Sequence, residues 1–240
     1  MVSPPLVGDT SLSAEQLALS ALRTFADSVK KKMSAMSHGE PEDQLRKPFE
    51  VLLESIGQAI GVGVVCKGET LLPGRLGKPD YAVHASGLLA GFAELKAPGA
   101  GADPRRFKGR DAKQWKRFQT LPNVLYCDGN EWALLRNGQP VRPLLRLDED
   151  ICTAAGKAVA QEHADALLAV LRDFLAWEPV VPKRAEELAD LLAPLCKMLR
   201  EDVLDALRAA SSPLERLARD WREMLFPEAD DARFADAYAQ

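Results

Sequence analysis

Two carboxylates and one ammonium group stand at related positions in the middle of the sequence, at Asp80, Glu94 and Lys96. Asp80 begins a strand-like run, and Glu94 and Lys96 lie at the end of a second run that follows the turn residues Ser86-Gly87. Because side chains alternate between the two faces of a strand, Glu94 and Lys96 share a face. A hairpin paired about this turn brings Asp80 close to both of them.

These three side chains suit phosphate chemistry with a divalent cation. Two carboxylates leave water positions open on Mg²⁺, which substrate phosphate can fill. Such an ion polarises a phosphodiester and lowers the pKa of a bound water. Lys96 can orient that water and stabilise the charge that develops on the phosphoryl oxygens. The alternative is an exposed Glu–Lys pair beside an unrelated turn aspartate, because neither E-x-K nor Pro-Asp is specific alone. Their order and hairpin spacing favour a site.

The surrounding pattern predicts the elements that hold this hairpin. Ser13 and Gln16 form a capping box before a helix over 14–32, and apolar residues recur at helical spacing over 41–59. Helices on both sides of several short strands predict an α/β or α+β fold with a helical C-terminal extension. The predicted strands are 62–66, 80–85, 88–95, 123–127 and 131–136; a basic helix is predicted over 109–120, and C-terminal helices over 154–177, 184–208 and 213–225.

A further carboxylate can reach the hairpin from the helix over 41–59. At about 100° per residue, Glu42 lies about 35° from the centre of the apolar face and Glu50 about 115° away. This geometry favours Glu42 as the glutamate that faces the sheet. The alternatives are that Glu50 takes this place, or that Glu42 is only a favourable carboxylate in the first helical turn.

The segment after Lys96 is strongly basic. Residues 96–118 contain eight Lys and Arg against two Asp, in a chain whose formal net charge is -4. Phosphate backbones attract such a segment, although a solvated helix face is the ordinary alternative. The glycine-rich residues 98–102 predict a flexible loop that leads into it. The candidate contacts to a nucleic-acid backbone are Arg105, Arg106, Lys108, Arg110, Lys113, Lys116 and Arg117.

The combination of Pro79-Asp80 with Glu94-Leu95-Lys96 after a hairpin resembles the PD-(D/E)xK nuclease superfamily. Gln114–Phe118 (QWKRF) resembles the Q-x-x-x-Y element of nuclease domains in type I restriction enzymes, with Phe118 in place of the tyrosine. Residues 123–138 (NVLYCDGNEWALLRNG) resemble a strand pair in nuclease domains fused to adenine-specific DNA methylases, the type IIG and type ISP restriction–modification enzymes. The helix that begins GEPEDQL at residue 39 is similar to the family's N-terminal helix. The resemblance covers about residues 39–140.

This resemblance implies a restriction-endonuclease-like core, with a central mixed sheet flanked by helices, that hydrolyses DNA phosphodiesters. It implies that Asp80 and Glu94 hold Mg²⁺, which Mn²⁺ can replace, while Lys96 positions or activates water and Glu42 and Gln114 support the site. The implied divisions are an N-terminal arm and helix over 1–38, a nuclease core over 39–150 and a helical connector over 151–240.

The resemblance also implies partners. The expected substrate is double-stranded DNA, and phage defence by restriction–modification is the expected setting. No methylase or helicase motif occurs here, so the chain is expected to be either a fragment of a longer enzyme, with a DNA methylase or specificity domain or subunit downstream of residue 240, or a stand-alone nuclease subunit. Each copy of the chain is expected to have one active site, so cleavage of both DNA strands implies that two copies pair on DNA.

The composition excludes several classes of protein. With 47% hydrophobic residues and no long apolar run, the chain is predicted to be globular, with no signal peptide and no membrane span. Four cysteines without a C-x-x-C spacing indicate reduced thiols and a cytoplasmic protein. Two alternative functions remain: a catalytically silent nuclease-like module that binds nucleic acid or protein, and an enzyme acting on a small phosphorylated ligand. The enzyme acting on a small phosphorylated ligand lacks support, because the glycine-containing segment 74–78 is too short for a phosphate-binding loop.

Overall fold

The structure is a computed structural model, and it describes residues 12–35, 39–68, 72, 76–178, 185–208 and 213–239. Short 3-10 helices lie at Pro104–Arg106 and Ala155–Ala158. The strands are β1 (Val64–Gly68), β2 (Tyr81–Ala85), β3 (Leu88–Leu95), β4 (Val124–Cys127), β5 (Glu131–Arg136), β6 (Gln139–Pro140) and β7 (Leu145–Arg146). The α-helices are α1 (Ala14–Ala35), α2 (Asp43–Ala59), α3 (Gly109–Phe118), α4 (Ile151–Ala154), α5 (Gln161–Leu175), α6 (Ala185–Arg208), α7 (Pro213–Met224) and α8 (Asp231–Ala239).

The strands form one open mixed sheet in the order β1-β2-β3-β4-β5-β6, with β7 also paired to β5. The β3–β4 pair is parallel, and the other pairs are antiparallel. A parallel pair needs a crossover connection, and α3 supplies it between β3 and β4. The predicted class, a mixed α and β fold with a central mixed sheet flanked by helices, is confirmed.

The two faces of the sheet pack against different helices. On one face, α1, α2 and α5 bury their apolar sides against Val83, Ala93, Leu95 and neighbouring residues. On the other face, α3 contributes Phe118 to a smaller cluster with Ala82, Phe92, Val124 and Tyr126. Strand alternation therefore directs Leu95 into the larger core, and it directs Glu94 and Lys96 toward α3, as the sequence predicts.

Local signals in the sequence form the expected contacts. The Ser13 N–H donates to Gln16 Oε1 at 2.9 Å, and the Gln16 N–H donates to Ser13 Oγ at 3.3 Å, which completes the capping box before α1. Ser86 and Gly87 have φ values of 49° and 86°. Both are positive, as a tight two-residue hairpin turn requires, and they join β2 to β3.

The predicted helix over 154–177 is wrong at its start. Ala155 has φ 55°, which interrupts the helix after α4. The chain then passes through a short 3-10 turn, and α5 begins at Gln161. The imidazole Nδ1 of His163 accepts the N–H of Ala160 at 3.2 Å, which caps the new helix start. The short strands β6 and β7 also lie outside the predicted set.

The chain divides into two compact units. The first contains α1 to α5 with the whole sheet, and the second contains α6, α7 and α8. Val203, Ala218 and Phe234 form the centre of a separate small core in the second unit. The domain boundaries predicted after residues 38 and 150 stay a prediction. No helix in the described ranges is both long and apolar enough to cross a membrane.

Gly91 in β3 offers a test of how tightly the strand that carries Glu94 is packed. A Cβ at Gly91 would lie 2.5 Å from Asn123 O and 2.7 Å from Phe174 Cε2, so Gly91→Ala forces the backbone to shift. We expect this change to lower the free energy of unfolding by about 1–3 kcal/mol. Gly63→Ala is the control, because a Cβ there meets no atom within 4 Å. Urea unfolding of both variants measures the effect, and equal stability of the two would contradict the packing described.

Candidate functional site

The β2–β3 hairpin brings Asp80 to Glu94. Pairing of Tyr81 with Ala93 places Asp80, just before β2, opposite Glu94 in β3. The Asp80 N–H donates to Glu94 Oε2 at 3.3 Å, and the Leu95 N–H donates to Asp80 Oδ2 at 2.8 Å. Both acidic side chains are buried. The hairpin register alone therefore fixes two carboxylates next to one another at the end of the sheet.

Lys96 is held by its neighbours in the sheet and by α3. Its N–H donates to Cys127 O at 2.8 Å, which extends the β3–β4 ladder by one residue. Its side chain is buried, and its ammonium Nζ lies 3.0 Å from each of Glu94 Oε1, Asp111 Oδ1 and Gln114 Oε1. An ammonium group has three N–H donors, and all three have acceptors here.

Gln114 connects the two charged side chains at the C-terminal end of β3, Glu94 and Lys96. Its amide Nε2 donates to Glu94 Oε1 at 2.7 Å while its Oε1 accepts from Lys96. Asp111 lies three residues earlier on the same side of α3, so the helix presents both side chains to the sheet. The structure thus places Gln114 against Glu94 and Lys96. Asp111 also contacts Lys96. The sequence pattern, in contrast, treats Asp111 only as a negative charge within the basic segment.

The third carboxylate comes from the start of α2. Glu42 lies immediately before the first residue of that helix, with helical φ and ψ of -59° and -40°. Glu42, Asp80 and Glu94 each offer an oxygen within 4.8 Å of the others. We call these three residues the acidic cluster. Glu50, the alternative, instead accepts from the Tyr81 hydroxyl at 3.0 Å and from Lys47 at 3.1 Å. Of the two candidates, it is Glu42 that the fold brings to the cluster.

Arg46 also contacts the acidic cluster, although the motifs in the sequence do not single it out. It lies one helical turn after Glu42, and its Nη2 donates to Asp80 Oδ1 at 2.6 Å. Its Nε donates to Asp43 Oδ1 at 3.0 Å. The available signal was its spacing of four residues from Glu42, which puts both on one side of α2.

Burial and mutual repulsion raise the pKa values of the acidic cluster. Burial, with a smaller contribution from Asp80, raises the pKa of Glu94 from 4.5 to about 7, against the hydrogen bonds from Lys96 and Gln114. Burial likewise raises the pKa of Asp80 and of Glu42. Burial favours a lower pKa for Lys96, but Glu94 and Asp111 more than offset it, and the pKa of Lys96 is raised. The lysine is therefore an ammonium ion at neutral pH.

Three carboxylates that resist ionisation beside one another are a favourable environment for a cation. A divalent ion removes their mutual repulsion, and hard oxygen ligands suit Mg²⁺, Mn²⁺ or Ca²⁺. The acidic cluster could therefore hold a metal ion. Its depth, at the end of buried strands, distinguishes it from an exposed group of acidic residues.

The loop after Lys96 is tethered, which differs from the flexible loop that its glycines predict. The Gly101 N–H donates to Asp128 Oδ2 at 2.8 Å, and the Ala102 N–H donates to Glu131 Oε2 at 3.1 Å. Both acceptors are buried side chains at the β4–β5 turn. Local composition indicates freedom here, and two long-range hydrogen bonds remove it.

The candidate phosphate-contacting residues form an exposed surface that follows the loop and α3. Asp103 binds Arg105 and Arg106, at 2.8 and 3.4 Å. The aromatic residues between the cations are partly or fully buried: Phe118 is in the core, and Trp115 packs edge-on against Tyr126. The exposed basic residues are Arg105, Arg106, Lys108, Arg110, Lys113, Lys116 and Arg117.

Several chains in solved structures are similar to this chain. No protein-family model matches the chain, and no curated protein sequence matches it. A chain in the cryo-EM structure of a DrdV–DNA complex is similar, with a TM-score of 0.45 and 18% sequence identity. The likeness covers 92% of this chain and 21% of that chain, so this chain spans about a fifth of its length.

The raised pKa of Glu94 predicts that the metal-free chain loses stability as the pH rises. Since the pKa is about 7 in the fold against 4.5 for an ordinary glutamate, folding takes up a proton between these values. The stabilisation is complete below about pH 4.5 and is lost as the pH rises through about 7. At about 1.4 kcal/mol per pKa unit, the loss is at most about 3.5 kcal/mol.

We expect Glu94→Gln to remove most of this dependence. The measurement is urea unfolding in EDTA at pH 5 and pH 8. Glu54→Gln, an exposed change on α2, is the matched control and keeps the wild-type dependence. An equally steep fall in stability in Glu94→Gln would show that this carboxyl is not the group responsible.

Proposed function

We propose that this chain is a Mg²⁺-dependent DNA endonuclease of the PD-(D/E)xK kind that its motif resembles, working in a restriction–modification or related defence enzyme. The observation that carries the proposal is the convergence of Glu42, Asp80 and Glu94 within 4.8 Å of one another, with the Lys96 ammonium on Glu94. The hairpin motif alone accounts for three of these residues, and α2 brings the fourth.

Each side chain has a defined part in this proposal. Asp80 and Glu94 hold the ion, and Glu42 completes the acidic cluster. A bound Mg²⁺ supplies polarisation of the phosphodiester and a lower pKa for the attacking water. Mn²⁺, also a hard octahedral ion, takes the same ligands.

Lys96 acts as a donor of hydrogen bonds rather than as a base. In the metal-free chain its three acceptors and raised pKa keep it protonated, so it has no free lone pair there at neutral pH. An ammonium group at this position orients the oxygen of the attacking water and stabilises the charge that develops on the phosphoryl oxygens. Gln114 fixes the positions of the Lys96 and Glu94 side chains relative to one another, because it forms a hydrogen bond with each.

The exposed basic residues of the loop and α3 hold the duplex in this proposal. They follow directly on Lys96 in sequence, and α3 carries Gln114 and Asp111 on one side and exposed lysines and arginines elsewhere. A DNA backbone bound along α3 therefore lies beside the acidic cluster. Sequence specificity, a methylase domain and pairing of two copies on DNA stay predictions from the family resemblance.

Substitution of the acidic cluster and of Lys96 separates metal binding from catalysis. We expect Asp80→Asn and Glu94→Gln to lose both Mn²⁺ binding, measured by calorimetry, and nicking of supercoiled plasmid with Mg²⁺ or Mn²⁺. Lys96→Gln should keep Mn²⁺ binding and lower nicking at least about 100-fold, since it removes only the stabilising charge. Glu54→Gln is the control with wild-type behaviour in both measurements.

Two wild-type results would contradict the proposal in different ways. Binding of Mn²⁺ and of duplex DNA without any cleavage would favour the silent binding module. Failure to bind Mn²⁺ would mean that the acidic cluster is not a metal site.

A charge-matched pair of variants tests where DNA binds. Lys113→Ala with Lys116→Ala removes two exposed lysines from α3, and Lys31→Ala with Lys157→Ala removes two exposed lysines elsewhere. Both double variants have the same net charge. We expect the α3 pair to weaken duplex binding about tenfold and to reduce the slope of log affinity against log salt by up to about two. Equal losses in the two double variants would indicate only a general charge effect.

A further inference from the structure

Arg46 binds the oxygen of Asp80 that the backbone leaves available. Asp80 Oδ2 accepts the Leu95 N–H, and Oδ1 accepts Arg46 Nη2 at 2.6 Å. The same guanidinium bonds Asp43, and its carbon lies 5.9 Å from the centre of the Tyr81 ring. The Arg46 side chain therefore packs against the start of β2 and contacts Asp80, a member of the acidic cluster.

The two cations at the acidic cluster have different environments. The Lys96 side chain is 6% exposed, and its ammonium is surrounded by three acceptors from the sheet and α3. The Arg46 side chain is 28% exposed and extends from the first turns of α2. Lys96 has little room to change partners, whereas Arg46 has access to solvent on one side.

A divalent ion on the acidic cluster changes the charge balance at Arg46. Without the ion, three carboxylates are balanced by Lys96 and Arg46, and Asp111 takes part of the charge of Lys96. With the ion bound, Asp80 has a divalent counter-ion, and the guanidinium faces a like charge across the same carboxylate. The attraction that holds Arg46 at Asp80 is then greatly reduced.

We propose that Arg46 is the counter-ion of Asp80 in the metal-free chain, and that a divalent ion displaces it from Asp80, so that the N–H donors it used there bind a phosphate oxygen of duplex DNA. This inference rests on the function proposed above. Guanidinium suits the second partner, because its planar fork of N–H donors matches the oxygens of a phosphate. The ion and the arginine thus compete for Asp80 and cooperate on the substrate.

Competition at Asp80 predicts that loss of Arg46 strengthens metal binding. We expect Arg46→Met to bind Mn²⁺ about three- to tenfold more tightly than wild type in calorimetry without DNA, the range expected for a partly buried charged hydrogen bond. Methionine keeps an apolar stem over Tyr81. Arg46→Gln, a polar variant, should shift the affinity in the same direction. Lys47→Met is the matched control, because Lys47 is the next residue, is exposed and pairs with Glu50 outside the acidic cluster.

Cooperation on the substrate predicts an ion-dependent loss of DNA affinity. The probe is a labelled duplex in fluorescence anisotropy, with Ca²⁺ as the ion in one arm and EDTA in the other. We expect Arg46→Met to weaken duplex binding about tenfold in Ca²⁺, because it removes one phosphate contact made by a partly buried arginine. In EDTA we expect the same change to weaken binding less than about twofold. Lys47→Met should match wild type in both arms.

The outcomes separate this inference from the proposed function. Weaker or unchanged Mn²⁺ binding in both Arg46 variants, in chains whose thermal unfolding in EDTA remains cooperative, would mean that Arg46 does not compete with the ion. An equal loss of duplex affinity in Ca²⁺ and in EDTA would mean that the ion does not release it. Either result overturns the inference and leaves the nuclease proposal standing. A wild-type chain that binds neither Mn²⁺ nor duplex overturns both.

Discussion

The placement of three carboxylates close together at the end of a sheet, with two of them buried, is the constraint on which the rest of the site depends. Water screens the repulsion between carboxylates at a surface, but Asp80 and Glu94 are buried, where a charge without a partner is costly. Two cations from different elements partly neutralise these carboxylates: Lys96 at the end of β3 and Arg46 on α2. Even so, burial, with a smaller contribution from Asp80, keeps the pKa of Glu94 raised to about 7, so the compensation is incomplete. That residual cost is what a divalent ion would relieve if it bound to the acidic cluster.

The backbone geometry explains how the carboxylates and cations are held within hydrogen-bonding distance of one another. The β2–β3 hairpin sets Asp80 against Glu94, and the parallel pairing of β3 with β4 continues to the N–H of Lys96. The crossover that a parallel pair requires is α3, which returns over the same face. Because an amide group both donates and accepts, Gln114 can bond Glu94 and Lys96 at once. The end of a paired hairpin, a required crossover helix and one bifunctional side chain together hold Asp80, Glu94 and Lys96 in place.

The parts of the site that the sequence predicts are those set by local rules. Strand alternation and a two-residue turn are enough to bring Asp80, Glu94 and Lys96 together, and helical periodicity is enough to prefer Glu42 over Glu50. The bounds of β3 and β5 agree with the predicted runs 88–95 and 131–136.

What the sequence does not predict depends on contacts between distant segments. Arg46 meets Asp80 across 34 residues, and Asp128 holds Gly101 across 27, so no local pattern contains either contact. The glycines of the loop indicate freedom in the unfolded chain, whereas buried carboxylates decide its conformation in the fold. The break before α5 arises in the same way, since positive φ at an alanine is imposed by surrounding structure rather than by propensity.

Lysine and arginine carry the same charge at this centre, and their different chemistry suits their different positions. A lysine ammonium is compact and has three donors, so three acceptors can enclose Lys96 completely at the buried end of β3. A guanidinium is planar, has five donors and is more weakly hydrated, so Arg46 can bond Asp43 and Asp80 together while part of it stays at the surface. Exchanging the two residue types would leave donors unpaired in the buried position and shorten the reach at the exposed one. The inner cation is thus fixed by burial to one set of partners, and the outer one retains the capacity to change them.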